Sequence, residues 1–232
     1  MSKDQLIINA AVTGCVLSSK DNPSLPVTSA EIAAEGRRLC DAGASILHVH
    51  ARNEDGSPAG GAAAYMNLVE QVRRACPSLI VCVSLTGRFE TDIDRRAEAL
   101  FARPEMASLS LGSLNFPGGP SMNPPDAIRE LSCRIYTAGA VPEFEVFEAG
   151  FINYAGFLIE RKELRPPFYF NLIFGSLGAA PLDLVGMGHM VSLLPSGAIW
   201  SAGGIGRYQL DANVMGMAAG GHVRVGLEDN PY

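Results

Sequence analysis

A chain of 232 residues, 47% of them hydrophobic and 18% charged, can bury a sizeable core and lacks the low hydropathy and high charge that accompany disorder. Its formal charge of −6 comes with scattered lysines and arginines, which excludes the basic stripe that binding to nucleic acid requires. No apolar run is long enough to span a bilayer, which argues against a membrane partner.

The start, Met1-Ser2-Lys3-Asp4-Gln5, runs directly into a strand-like segment and reads as the unprocessed beginning of a soluble protein. From there, short apolar runs rich in β-formers alternate with helical patterns, the signature of successive βα units around a parallel sheet. Eight strands are predicted, beginning near Leu6, Ser45, Leu79, Met106, Val141, Phe168, Ala198 and His222, with a right-handed crossover helix after each of the first seven. The first helix opens on a capping box, Thr28 with Glu31, and stops at Gly43. Asn123 before Pro124 reads as an N-cap with proline in the first turn, and Pro181 and Pro195 bracket a later helix. Neither repeats nor low-complexity linkers interrupt the pattern, so residues 1–232 form one domain, a (β/α)8 TIM barrel of the α/β class.

After the eighth strand only Glu228-Asp229-Asn230-Pro231-Tyr232 remain, so the last helix is absent. Val223, Val225 and Leu227 would then face solvent. Either the sequence is a portion of a longer chain, or a neighbouring subunit covers that flank. Cys15, Cys40, Cys76, Cys82 and Cys133 show neither C-x-x-C spacing nor a compact framework. They read as reduced thiols, mostly core filler, of a cytoplasmic protein.

Strand alternation locates the chemistry. In Ser45-Ile46-Leu47-His48-Val49-His50 the two histidines point to one face and Leu47 and Val49 to the other. A same-face histidine pair at a strand end is a chelating arrangement. The eighth strand alternates His222, Arg224, Gly226 and Glu228 against Val223, Val225 and Leu227, the fourth places Ser108 and Ser110 inward, and the fifth places Glu143 and Glu145 inward. Burying that many ionisable groups is costly unless they are paired or bind a cation. Glu228 is the best-placed third ligand to a metal held by His48 and His50, and Arg224 needs an anion such as Asp229 or Glu145. Two histidines and one carboxylate leave open positions, as catalytic sites do. Zinc and ferrous iron both suit the triad, and either could polarise a carbonyl or activate water. Ser201-Ala202-Gly203-Gly204-Ile205-Gly206 has the position of a barrel phosphate loop, with Gly204 a candidate contact for a nucleotide tail.

Taken together, the residues resemble the β-keto acid cleavage enzymes over essentially the whole chain. The resemblance rests on Ile8-Asn9-Ala10-Ala11 with Thr13-Gly14, on Gly43-Ala44-Ser45 leading to His48-Val49-His50, and on Pro104-Glu105-Met106-Ala107 followed by Gly112-Ser113-Leu114-Asn115-Phe116. Pro142 to Phe147 and the run from Gly220 to Asn230 complete it. It implies a barrel holding one Zn2+ per subunit on His48, His50 and Glu228, with acetyl-CoA as co-substrate. A β-keto acid and acetyl-CoA would yield acetoacetate and a new acyl-CoA through a metal-stabilised enolate and a retro-Claisen step. Asp229, oriented by Arg224, would take the C2 proton, and Ser84, Ser108 and Glu145 would contact substrate. The resemblance also implies a homo-oligomer, dimer or tetramer. Members that act on an amino-substituted keto acid carry a glutamate two positions after Thr-Gly, where this chain has Val16. That departure disfavours a cationic substrate and predicts a neutral or apolar one.

The rival reading is a metal-dependent hydrolase of the amidohydrolase type, which also begins from H-x-H on a barrel strand. It needs further histidines, and only His189, in a predicted helix, and His222, at the far end of its strand, remain. A barrel that only binds a CoA ester or a metal is the non-catalytic alternative.

Overall fold

The computed structural model describes residues 5–232, so the reading of Met1 to Asp4 as an unprocessed start lies outside the described residues. The chain runs β1 (Ile8–Ala11), α1 (Ser29–Asp41), β2 (Ile46–Val49), α2 (Ala62–Ala75), β3 (Ile80–Val83), α3 (Ile93–Ala97) and β4 (Met106–Ser110). A small hairpin of β5 (Leu114–Phe116) and β6 (Gly119–Ser121) follows. Then come α4 (Pro125–Thr137), β7 (Val141–Val146), α5 (Ala149–Glu160), β8 (Tyr169–Phe174), α6 (Leu184–Leu193), β9 (Ile199–Gly204), α7 (Gln209–Ala218) and β10 (His222–Val225). Eight parallel strands close in the order β1-β10-β9-β8-β7-β4-β3-β2. This is the expected TIM barrel with seven helices, and each predicted strand start lies within two residues of the observed one.

Alternation explains why these runs form this barrel. Leu47, Val49, Val81, Val83, Leu109, Phe144, Val146, Phe170 and Leu172 point outward and are buried under the helices in one continuous core. Each such side chain contributes about 1.5–3 kcal/mol through burial. A separate small cluster of Ile46, Cys82, Met106 and Tyr169 fills the interior near the strands' N-terminal ends. Above it the interior turns polar, with Asn9, His48, Ser108, Glu143, Asn171 and Ser201 all buried. The site therefore lies at the C-terminal ends of the strands.

Local signals hold in part. Thr28 caps α1 with both halves of the capping box formed. In α4 the N-cap is Pro124, one residue later than expected. Asn123 is spoken for elsewhere, donating to the Gly112 carbonyl oxygen and accepting from Arg96. Asp183, not Pro181, caps α6. The five cysteines are not all free thiols, because Cys40 in α1 and Cys76 after α2 are joined as a disulfide. A separation of 36 residues hides that pairing in the sequence; packing of α1 on α2 creates it.

Beyond β10 no helix follows among the described residues. Val223 is buried rather than exposed, with α7 packed beside β10. Val225 and Leu227 line a shallow apolar groove of about 140 Å3 with Ile8, Ala10, Val12 and Leu39. No helix among the described residues is long and apolar enough to cross a membrane.

Strand β10 ends at Val225, so strand alternation does not carry Glu228 to the site as expected. Gly226 does so instead, at φ +153°, with the backbone N–H groups of Asp229 and Asn230 turned back onto its carbonyl oxygen. A Cβ there would collide with the Ala11 carbonyl. Gly226→Ala is expected to destabilise the fold by on the order of 3 kcal/mol, measured by urea unfolding. A loss below about 0.5 kcal/mol would mean that the turn tolerates a side chain.

Candidate active site

β2 delivers both histidines. His48 Nδ1 lies 2.7 Å from Glu143 Oε2, which assigns the proton to Nδ1 and leaves the Nε2 lone pair free. That Nε2 stands 3.3 Å from His50 Nε2. Glu228 Oε1 lies 3.3 Å from His50 Nε2 and 3.7 Å from His48 Nε2. These three residues form a cluster able to hold a metal. Ligand atoms about 2.0–2.1 Å from a tetrahedral ion stand about 3.3–3.4 Å apart, so the spacing fits zinc. The second oxygen of Glu228 is buried without a partner, an orphan acceptor of the kind a cation satisfies. Gly14, at φ +59°, lets the backbone pass this carboxylate, since a Cβ there would lie 2.8 Å from Glu228 Cγ.

A second layer fixes His48. Glu143 is fully buried and accepts from Asn171 at 2.6 Å, from Asn9, and from Cys82 at 3.2 Å. Burial alone would raise its carboxyl, but His48 and Arg224 bring it down to about 2. His48, Cys82 and Glu143 also bring three ligand atoms within 4.8 Å of one another, yet the hydrogen bonds among them already use the atoms a metal would need. That group orients the histidine.

β10 supplies Arg224, 2% exposed. Its guanidinium donates to Asp229 at 2.8 Å, to Glu228 at 3.0 Å and to Glu145 at 3.4 Å, with Glu143 3.9 Å away. Burial opposes its charge, but four carboxylates hold its pKa well above the usual value. Burial pushes Glu145 and Asp229 up despite this cation. Glu228 is held well below the usual range, because the two histidines and Arg224 outweigh its burial. Burial disfavours protonated imidazole, yet Glu228 together with Glu143 raises His48, and Glu228 raises His50 further.

The expected site residues converge, with two placed apart. His50, Ser84, Glu145, Arg224, Glu228 and Asp229 line one cavity of about 480 Å3. Ser108 sits below it, its hydroxyl accepting from the Leu85 N–H at 3.4 Å. Ser110, two residues on, lines the cavity and donates to Glu145 at 2.8 Å. Gly204 is buried where a Cβ would strike the Tyr208 backbone, and its neighbours Ile205 and Gly206 line the cavity instead. A second cavity, about 430 Å3, adjoins the first at Cys15, His50, Ser84 and Thr86. His189 lies in α6, and His222 accepts from the Ile7 N–H at the start of β10, so neither joins the metal cluster. The roles of Glu143 and Ser110 escaped the sequence reading, although the inward alternation of β7 and β4 places both.

Residues 5–232 match the family model described as beta-keto acid cleavage enzyme. The chain is 35% identical over 233 residues to 3-keto-5-aminohexanoate cleavage enzyme of Acetoanaerobium sticklandii, covering 99% of this chain and 84% of that relative. It is 34% identical over 227 residues to 3-oxoadipate:acetyl-CoA acetyltransferase of Cupriavidus necator, covering 97% and 80% respectively. Among solved structures, apo ObcA superposes with a TM-score of 0.71 at 22% identity, over 90% of this chain and 56% of that one, a likeness of fold. The agreement in motifs, barrel and sequence over almost the full length means that this chain belongs to the beta-keto acid cleavage enzyme family.

Proposed function

We propose that this protein is a zinc-dependent transferase that cleaves a β-keto acid with acetyl-CoA, giving acetoacetate and a new acyl-CoA. The observation that carries this is the adjacency of a metal-competent His48, His50 and Glu228 cluster to Asp229, a buried carboxylate held 2.8 Å from Arg224. A divalent cation held by those three residues supplies Lewis acidity to the keto acid's oxygens and so acidifies its C2 protons. Asp229 accepts one C2 proton, and Arg224 holds the carboxylate in line and compensates its charge. The resulting carbanion attacks the acetyl carbonyl and the thioester releases CoA as thiolate. That thiolate attacks the former keto carbon, the C2–C3 bond breaks, the proton held on Asp229 returns to C2, and acetoacetate leaves with the acetyl carbons at its far end. Ser84, at the cavity wall, would donate a hydrogen bond to a reacting oxygen, and Glu145 would line the substrate beside it. The protein acts in the cytoplasm as a homo-oligomer.

Relatives bear substrate names of opposite charge, an amino keto acid in one and a dicarboxylic one in another. Family membership therefore leaves the far end of the substrate open. Incubating a panel of β-keto acids with acetyl-CoA is expected to yield acetoacetate from at least one. His48→Ala and chelator-treated protein should be inactive, and zinc should restore the latter. Zinc at 100 times its dissociation constant should also raise the melting temperature of the stripped protein by about 5–10 °C. Acetoacetate from no member, or equal rates in the histidine variant, would overturn the assignment.

A further inference from the structure

One cation in the site cavity is left over. Of its two arginines, Arg224 is saturated with carboxylates. Arg88 is half-buried in the same wall, yet among the described residues its guanidinium donates no hydrogen bond and pairs with no acid. Only its backbone N–H is engaged, donating to Thr86. Arginines elsewhere in the barrel behave differently. Arg52 donates to four backbone carbonyls, and Arg96 to the Leu85 carbonyl oxygen and Asn123. An arginine presents five donors in a planar fork, and donors that no protein group meets are open to a ligand entering the cavity.

The head group is also held in place. Its central carbon lies 4.5 Å from the centroid of the Phe116 ring, which is packed edge-on against Phe147 at 5.3 Å. This cation–π contact holds the head group over the ring, and its N–H groups remain available to a carboxylate. The Met122 N–H donates to the Gly87 carbonyl oxygen at 3.0 Å, and any side chain on Gly87 would collide with the Met122 carbonyl, so the loop carrying Arg88 is anchored to the chain after β6. The cavity acids, Glu145, Glu228 and Asp229, are all turned to Arg224. Val16, in the same wall, offers no charge. Among the described residues lining this cavity, no acid therefore remains for an ammonium group and one cation remains for an anion, whereas Glu90 and Glu98 line the adjoining cavity.

Building on the reaction above, we propose that Arg88 is a specificity-determining residue that binds a second carboxylate at the far end of the substrate, so that the preferred substrate is a β-keto dicarboxylic acid. This replaces the neutral side chain expected from Val16 alone. The competing anion is a phosphate of acetyl-CoA.

The test pairs two six-carbon substrates, 3-oxohexanoate and 3-oxohexanedioate, with acetyl-CoA. Wild-type kcat/KM should favour the diacid by about 10- to 100-fold, mainly through KM, the range a charge-assisted hydrogen bond supplies. Arg88→Met should erase that preference, and Arg88→Lys should retain part of it. Lack of a preference in the wild type, or its survival in Arg88→Met, overturns the proposal. A raised acetyl-CoA KM with both acids in Arg88→Met also overturns it, because the arginine would then serve the CoA phosphates. Calorimetric binding of the two acids to zinc-loaded protein without acetyl-CoA separates this question from the reaction itself. If neither acid turns over but the diacid binds more tightly in an Arg88-dependent way, the reaction assignment fails and the anion site stands; equal binding removes the anion site.

Discussion

Replacing Asp229 by asparagine is expected to lower kcat for acetoacetate formation by about 10^2- to 10^4-fold, the range for removing a positioned general base. The amide keeps the size of the carboxyl and can still meet Arg224, so zinc content and melting temperature should change little. That separates a chemical role from a structural one. The pH profile gives a second readout. Burial holds Asp229 above the ordinary aspartate value, with Glu228 adding to the shift and Arg224 opposing it. The base works ionised, so kcat/KM falls as the pH drops through that raised value. The acid limb of the wild type should therefore lie above the ordinary aspartate range, and Asp229→Asn should lose it. An unchanged limb in the variant would assign the proton transfer to another group.

Arg224→Met should have the largest effect on stability. The side chain is 2% exposed and faces Asp229, Glu228, Glu145 and Glu143. Removing the cation leaves buried carboxylates uncompensated, which costs about 3–5 kcal/mol in comparable cases. For a domain of this size the melting temperature should fall by about 6–20 °C. Arg224→Lys keeps the charge but presents an ammonium in place of a planar fork, so it should recover part of the stability and little of the activity. A methionine variant as stable as the wild type would mean that the acids take up protons at little cost, and the arginine would lose its structural role.

Much of the barrel was legible because its strands carry apolar residues on one face and polar ones on the other, and eight such runs recur at βα spacing. The histidine pair was legible for the same reason, since His48 lies in one short strand and His50 immediately follows its end. Features that depend on contacts between distant segments were hidden. Glu143 becomes the partner of His48 only when β7 and β2 face each other across the barrel interior. Cys40 and Cys76 meet only because α1 packs on α2. Arg88 gains meaning from the lack, among the described residues, of an acid paired with it, which no local pattern encodes. Glu228 was identified for a partly wrong reason: alternation placed it inward, whereas the strand stops at Val225 and a glycine turn carries the acid into the site.

That glycine turn presents Glu228 and Asp229 as consecutive residues, one toward the histidines and the other into the grip of Arg224. In the proposed reaction, a ligand of the metal and the general base would therefore hang from a single hinge. On that proposal, a shift of a few tenths of an ångström there would loosen the metal and misalign the base together, so grip on the ion and proton-transfer power would not drift independently. Substitutions around the turn should consequently combine non-additively. Selection for new substrates would be channelled to cavity residues outside the turn, such as Val16 and Arg88.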